Sequence, residues 1–102
     1  MRIEVSTPTF IEFGMGFASY VTADVIDLSK TSLKEIPLDG FFGASINTLY
    51  LPKTITRVAP CAFDEATIDT IVYYGSEEEL NGIVIEGGNE GFYAAKVICM
   101  GE

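Results

Sequence analysis

The acidic residues Asp64, Glu65 and Asp69 stand close together in the sequence and are the first candidates for chemistry. Carboxylates at this spacing could hold a calcium ion or share general acid–base work. A calcium loop, however, presents oxygen ligands at alternating positions, and this segment lacks that alternation. Asp64 and Glu65 also follow directly on the apolar Phe63, where the chain is expected to turn towards solvent. We therefore interpret Asp64 and Glu65 as part of a solvated turn and predict no metal site.

The segment 14–19, GMGFAS, is the nearest approach to a phosphate-binding loop. It lacks the third glycine of a dinucleotide-binding fingerprint, and no convincing helix follows it. A turn that carries glycines is the favoured interpretation, and we predict no cofactor. The sequence also contains no histidine, which removes the commonest general base and the usual zinc ligand. We expect that the protein is not an enzyme; catalysis by carboxylates alone is the remaining enzyme hypothesis.

The two cysteines, Cys61 and Cys99, have neither the spacing nor the companion ligands of a zinc site, and two cysteines do not make a disulfide framework. We interpret both as free thiols. Cys99 lies within the apolar run Val97–Met100, which predicts that it belongs to the core.

The chain has 102 residues, enough for one domain, and a net charge of −9 from 15 acidic and 6 basic residues. This charge repels phosphate backbones and anionic membrane surfaces, so nucleic-acid binding is disfavoured, and it favours basic partner surfaces. The longest apolar stretch, 10–21, is interrupted and too short to span a bilayer, so no membrane insertion is predicted. The opening residues MRIEV lack a basic region followed by a long apolar core, so no signal peptide is predicted, and the sequence leaves the compartment open.

The elements that must position any site are internal repeats. In the segment 47–68 the apolar residues fall at Leu49, Leu51, Ile55, Val58, Ala62, Phe63 and Ile68. Equivalent apolar residues lie 22 or 23 positions earlier, in segment 24–46, and the one-residue difference falls in a turn. We divide the single domain 1–102 into a divergent first repeat (1–23), two repeats (24–46 and 47–68), and a partial repeat with a C-terminal cap (69–102).

A period of this length, with a short strand at the start of each unit, predicts a leucine-rich-repeat-type solenoid. The expected fold is α/β but mostly β, a right-handed stack of about four units with a parallel sheet on one face. Ser76 and Glu79 form a capping box, which predicts a short C-terminal capping helix from Glu77 to Asn81 that stops at Gly82. A strand at 83–85, a turn at 87–89 and a closing strand at 96–100 should follow.

Side chains alternate along each predicted strand, so one set points into the core and the other points out. The inward pairs are Ile3/Val5, Ile26/Leu28, Leu49/Leu51 and Ile71/Tyr73. The outward row is Glu4, Asp27, Tyr50 and Val72, flanked by Arg2, Val25, Thr48 and Thr70. The candidate partner-binding residues on this face are Asp27, Thr48, Tyr50, Thr70 and Val72. Tyr50 and Val72 could be a hot spot for a partner or ordinary cross-strand pairs that support the sheet.

With these residues placed, the pattern resembles the BspA-like leucine-rich-repeat family of bacterial and protist proteins. Residues 49–63, LYLPKTITRVAPCAF, match the family unit L-x-x-I-x-L-P-x-x-I-x-x-I-x-x-x-A-F from its I-x-L-P segment to its final A-F. Residues 73–80, 83–85 and 89–90 look like the family's closing segment, with Leu80 in place of an aromatic residue. The resemblance implies a repeat scaffold, and relatives are described as surface adhesins or interaction proteins. It would allow a cell-surface or secreted location.

Two functions remain open besides catalysis. The first is a non-catalytic protein–protein interaction module whose partner is an unidentified protein. The second is a structural or self-assembling protein, either a homo-oligomer formed through residues 1–23 or a piece of a longer surface adhesin or virion component. A strand at Arg2–Val5 would leave an unpaired sheet edge, and such edges template pairing with another chain.

Overall fold

The computed structural model describes residues 2–4, 20–30 and 33–101 of the protein, and only the backbone of 2–4. Over these ranges the fold is mostly β, with two parallel sheets and two short helices. The described strands are β1 (Arg2–Glu4), β2 (Thr22–Asp27), β3 (Glu35–Ile36), β4 (Ser45–Leu51), β5 (Arg57–Val58), β6 (Thr67–Tyr73), β7 (Val84–Ile85) and β8 (Lys96–Cys99). The helices are α1 (Glu77–Asn81) and α2 (Glu90–Ala94).

The larger sheet has five parallel strands in the order β1-β2-β4-β6-β8. One row of paired residues runs across it from Val25 through Thr48 and Thr70 to Lys96. The smaller sheet has three parallel strands in the order β3-β5-β7, and its register places Glu35, Arg57 and Val84 side by side. Residues paired between β2 and β4, and between β4 and β6, are therefore separated along the chain by the period read from the sequence. Residues paired between β5 and β7, and between β6 and β8, are separated by a slightly longer stretch of chain.

One cluster of buried apolar side chains joins the two sheets. Burial of the predicted inward pairs of β2, β4 and β6 is confirmed, since each of these six side chains is inaccessible or nearly so. Phe41 and Phe63 lie in the turns that connect the sheets, and their buried rings stack with centroids 5.0 Å apart. The ring of Phe92, from α2, continues this aromatic ladder at 5.5 Å from Phe63. The predicted inward residues Ile3 and Val5 lie outside the described side chains.

The turns use left-handed backbone conformations at recurring places. Tyr20, Gly43 and Glu65 form one such series, with φ of 61°, 68° and 57°. Asp39, Cys61 and Gly88 form the second, with φ of 57°, 60° and 82°. Members of each series are separated by the same number of residues as the strands that pair beside them. Positive φ strains residues other than glycine, so these turns are held by their surroundings.

The C-terminal segment begins with the predicted helix, and this prediction is confirmed. Ser76 caps α1, and the capping box is present: the Ser76 hydroxyl accepts from the Glu79 N–H at 3.1 Å, and the Glu79 carboxylate accepts from the Ser76 N–H at 2.9 Å. The helix ends at Gly82. The strand expected at 83–85 is β7, shorter by one residue, and the closing strand β8 ends at Cys99 rather than Met100.

Helix α2 has no counterpart among the predictions, which place only a turn before β8. The N-cap residue Asn89 makes no side-chain capping bond, and the helix has only five residues. It is held by packing instead: Phe92 is buried, and Gly91 lies so close to the Phe63 and Ala66 carbonyls that a Cβ would meet them at 2.6 and 2.8 Å. Tertiary contact therefore forms this helix where local signals are weak.

Candidate functional site

The outward row of the five-stranded sheet contains the residues that were predicted for it. The register pairs Asp27 with Tyr50, Tyr50 with Val72, and Val72 with Ile98. The predicted adjacency of Tyr50 and Val72 is thus confirmed, and both side chains are half-buried. In the next row, Thr48 and Thr70 pair directly and are also half-buried. The sheet therefore brings all five candidate residues together on one face.

Three further apolar residues extend this face. The ring of Tyr74 stacks on that of Tyr50, with centroids 6.2 Å apart and planes inclined by 29°. The Met100 N–H donates to the Tyr73 carbonyl at 2.8 Å, which continues the sheet ladder beyond β8 and sets Met100 beside Tyr74. Tyr74, Ile98 and Met100 are 39%, 38% and 59% exposed. We call the set Tyr50, Val72, Tyr74, Ile98 and Met100 the aromatic face.

Sequence reasoning missed the three additional members for two reasons. The alternation that points Val72 outward also points Tyr74 outward, since Tyr74 is two residues further along the chain. This signal was available in the sequence. The placement of Ile98 and Met100 was not, because β8 pairs with β6 across a separation longer than the repeat period. Only the paired strands reveal that Ile98 lies beside Val72.

Asp27 is the last residue of β2 and lies in this row between Glu4 and Tyr50. Its Oδ1 accepts hydrogen bonds from the Ser29 N–H at 2.9 Å and from the Ser29 hydroxyl at 2.6 Å. This carboxylate therefore organises the turn after β2. Its negative charge also lies next to Tyr50, so it adds an acidic border to the aromatic face.

The other half of the sheet face is polar. The paired register skips Asp24 in β2, Asn47 in β4 and Asp69 in β6. All three side chains are exposed, and the Asn47 Nδ2 donates to the Asp24 Oδ1 at 3.3 Å. We call Asp24, Asn47 and Asp69 the acidic corner, which lies beside the aromatic face. Lys96 lies in the row between the two, and it is the cation among the paired residues of β2, β4, β6 and β8 on this face.

The inner side of the same strands carries two groups with altered acidity. Burial raises the pKa of Tyr73, and the nearby charges of Glu79 and Cys99 raise it further. Burial also raises the pKa of the Cys99 thiol, with a further contribution from Glu77. Both cysteines are free, and each is half-buried. Cys99 packs against the core as predicted but is only partly buried, because its strand β8 is the last of the sheet and pairs with β6 on one side only.

Of the acids considered for metal binding, Asp64 and Glu65 lie in a turn, as predicted, whereas Asp69 lies within strand β6. Residues 60–65 form turns, and Glu65 and Asp69 are exposed. Over the described ranges, no group of three or more histidine, cysteine, aspartate or glutamate residues is placed to hold a metal ion. The segment 14–19 lies outside the described residues.

Among the helices that the structure describes, none is long and apolar enough to cross a membrane. Comparisons of the chain with protein-family models, with curated proteins and with solved structures find no match.

Proposed function

We propose that the protein is a non-catalytic protein–protein interaction module, built as a leucine-rich-repeat-type solenoid similar to the BspA-like family, and that its partner binds the aromatic face. The pairing of strands at the period of the apolar pattern, and the left-handed turn positions that recur with it, support the repeat architecture. A rigid sheet of this kind holds exposed side chains in fixed positions, which suits recognition of a partner surface.

The observation that carries the functional part is the stacked pair of Tyr50 and Tyr74 beside exposed Ile98 and Met100. Tyrosine and methionine are enriched at protein interfaces, and hot spots cluster around such aromatic anchors. The acidic corner and Asp27 border this set. A partner that fits has an apolar centre and basic residues at its periphery.

The competing interpretation gives these residues an ordinary supporting role in the sheet. The two interpretations differ in which property a substitution changes. If Tyr50 and Tyr74 only support the sheet, replacing them lowers the free energy of unfolding and leaves binding by the folded protein unchanged. If they are binding residues, replacing them weakens binding by about tenfold or more in protein that remains folded.

The test uses a photo-crosslinking amino acid at position 74 in living cells of the source organism, with the same amino acid at Val84 as the control. Val84 is an exposed apolar residue on the other sheet. The partner that is crosslinked from position 74 and not from position 84 is then purified. Its Kd is measured for the wild type, for Tyr50→Ser and Tyr74→Ser, and for Tyr20→Ser as the control, since Tyr20 is an exposed tyrosine outside the aromatic face. We expect weaker binding for the first two variants only. Equal affinity for all three variants would overturn the proposal.

Self-assembly is the second candidate function, and one observation favours it. β1 is the first strand in the order of the five-stranded sheet, so its far side has no strand partner among the described residues. An exposed strand edge can pair with another chain. Light scattering over a concentration series tests this: assembly through residues 1–23 gives a dimer or a larger species, whereas a monomer at high concentration excludes it.

A further inference from the structure

An apolar pocket lies at the end of the fold opposite β1, on the other side of β8 from Ile98 of the aromatic face. It is a pocket of about 490 Å³ between α1, β7, α2 and β8. Its lining residues are Leu80, Asn81, Ile83, Ile85, Phe92, Tyr93 and Val97. β7 and β8 are the last strands in the orders of their sheets, so over the described residues no strand pairs with the outer edge of either.

The lining side chains are less covered than their counterparts one strand earlier. Val97 pairs in register with Ile71, and Ile85 pairs with Val58. Ile71 and Val58 are fully buried, whereas Val97 and Ile85 are half-buried. Tyr93, at the mouth of the pocket, is 69% exposed. Strands β6 and β5 are covered by the strands that follow them in their sheets. β8 and β7 have no such neighbour over the described residues, so the apolar surface beside their edges is accessible.

The border of the pocket is acidic. Glu77 precedes Leu80 and Asn81 by three and four residues on α1, so it lies on the helix face that lines the pocket. Its charge also reaches Cys99 on β8, since it helps raise the pKa of that thiol. Glu90 precedes Tyr93 by three residues on α2 and is exposed. Lys96 points to the opposite side of β8 from Val97, so it does not neutralise this border.

We propose that this end pocket binds a basic, extended peptide segment of a partner protein, which adds as a strand to β8 and inserts an apolar side chain between Val97, Ile85 and Phe92. Main-chain hydrogen bonds along the free edge would supply affinity, and the pocket would select the side chain, as in other cases of strand addition. β8 is preferred over β7 because it has four residues rather than two. Lysine or arginine two residues before and two residues after the apolar residue would lie on the same side of the added strand as that residue, and would face Glu77 and Glu90.

Charge argues against a second copy of this chain as the occupant. Two end pockets placed face to face would bring Glu77 and Glu90 of both copies together, in a chain whose net charge is −9. Like charges juxtaposed at an interface oppose association. A basic segment experiences the opposite force, both in steering towards the site and in the bound state.

The probe is a fluorescein-labelled peptide of about seven residues with a central leucine, a lysine two positions before and after it, and serine elsewhere, so that leucine and both lysines share one face of the added strand. The same peptide with serine in place of the leucine, and the same peptide with glutamate in place of both lysines, are the controls for the apolar and the basic contributions. Binding to the full chain is measured by fluorescence anisotropy, and the location of binding by the shifts of backbone amide signals in NMR. We expect binding of the lysine–leucine peptide only, with shifts at Val97, Ile85 and Tyr93.

The variants are surface changes that leave the core intact. Glu77→Lys combined with Glu90→Lys should weaken binding by about tenfold, and Tyr93→Ser by a similar factor. The control variant combines Glu65→Lys with Glu78→Gln. Glu65 is an exposed acid that does not line the pocket, and Glu78 loses its charge without reversal of the sign. This variant should reduce affinity by less than about threefold. Far-UV circular dichroism verifies that each variant is folded.

Four results would overturn the proposal: no binding up to about 1 mM peptide, equal weakening by the two double variants, NMR shifts centred on Tyr50 and Tyr74, or a dimer whose contacts occupy the pocket. Because these readouts involve residues outside the aromatic face, failure here leaves the proposed function untouched, and failure of the Tyr50 and Tyr74 variants leaves the end pocket untouched.

Discussion

The side-chain oxygen of Asn89 accepts a hydrogen bond from the backbone N–H of Phe63 at 2.8 Å. In the preceding turn the corresponding N–H, that of Phe41, donates at the same distance to the backbone carbonyl of Ala62. An amide side chain thus takes the place of a backbone carbonyl at the last turn of the fold. The Asn89 Nδ2 also donates to the Ala59 carbonyl at 3.0 Å, so the closing segment is tied to the turn before it.

Removing this side chain should destabilise the protein strongly. Asn89 is the buried polar side chain of the described ranges, and Asn89→Ala removes the hydrogen-bond partner of the Phe63 N–H and the bonds that the Asn89 amide donates to the carbonyls of Ala59 and Glu86. We expect a loss of about 2–4 kcal/mol in the free energy of unfolding, measured by urea denaturation. Asn81→Ala, an exposed change in α1, should cost less than about 0.5 kcal/mol. Similar losses for both variants would contradict this role of Asn89.

The aromatic ladder should be the most sensitive part of the core. Phe63 packs between the rings of Phe41 and Phe92 and is fully buried. Phe63→Ala should therefore lower the free energy of unfolding by about 3–5 kcal/mol, from lost burial and the cavity left behind. Phe42 is only half-buried against Tyr20, so Phe42→Ala should cost about 1 kcal/mol. Thermal unfolding of the two variants gives the comparison, and a larger loss for Phe42→Ala would refute it.

Gly75 should not tolerate a side chain. A Cβ at this position would lie 2.5 to 2.6 Å from the ring and hydroxyl of Tyr73, which is buried and donates to the Lys53 carbonyl. Gly75→Ala must displace this ring, and we expect a cost of about 1–3 kcal/mol in chemical denaturation. At Gly87 a Cβ would meet no atom within 4 Å, so Gly87→Ala should be neutral or slightly stabilising. The prediction fails if the two alanines have the same effect.

Stability should fall in alkaline solution partly through Tyr73 and Cys99. Both have a pKa raised in the folded protein, by burial first and by neighbouring negative charges second. The unfolded chain therefore loses these protons at lower pH than the folded protein does. The stabilisation is complete below the unfolded pKa values and is lost as pH rises above about 9. In urea titrations from pH 7 to 10.5, Tyr73→Phe with Cys99→Ala should decline less steeply than the wild type; parallel curves would argue against it.

Arg57 should matter little in spite of its two ion pairs. Its guanidinium binds the Glu35 carboxylate and, at 3.3 Å, the Glu86 carboxylate, which links the strands of the smaller sheet. All three side chains are well exposed to solvent. Arg57→Met should therefore cost less than about 1 kcal/mol, and the difference should shrink as salt is added. A large loss that does not depend on salt would show that the network is stronger than its exposure suggests.

The sequence alone determined the positions that become the core, because the apolar residues repeat with a regular period and their strands pair at that spacing. It also determined α1, since a capping box acts within one turn of chain. The neighbours Tyr50 and Val72 followed from the same period together with side-chain alternation. These features depend on local chemistry or on a regular spacing, and both can be read from the order of residues.

The tertiary structure alone decided the features at the C-terminal end. β7 and β8 pair across separations longer than the repeat period, so the period could not place Ile98 beside Val72 or Ile85 beside Val58. α2 forms because Phe92 finds the ring of Phe63, and Asn89 is buried because its amide meets backbone groups of a distant turn. The end pocket exists only because β8 and β7, the last strands of the two sheets, lie at the same end of the fold. Each of these depends on long-range contacts, whose free energy is set by the packed fold and not by local sequence.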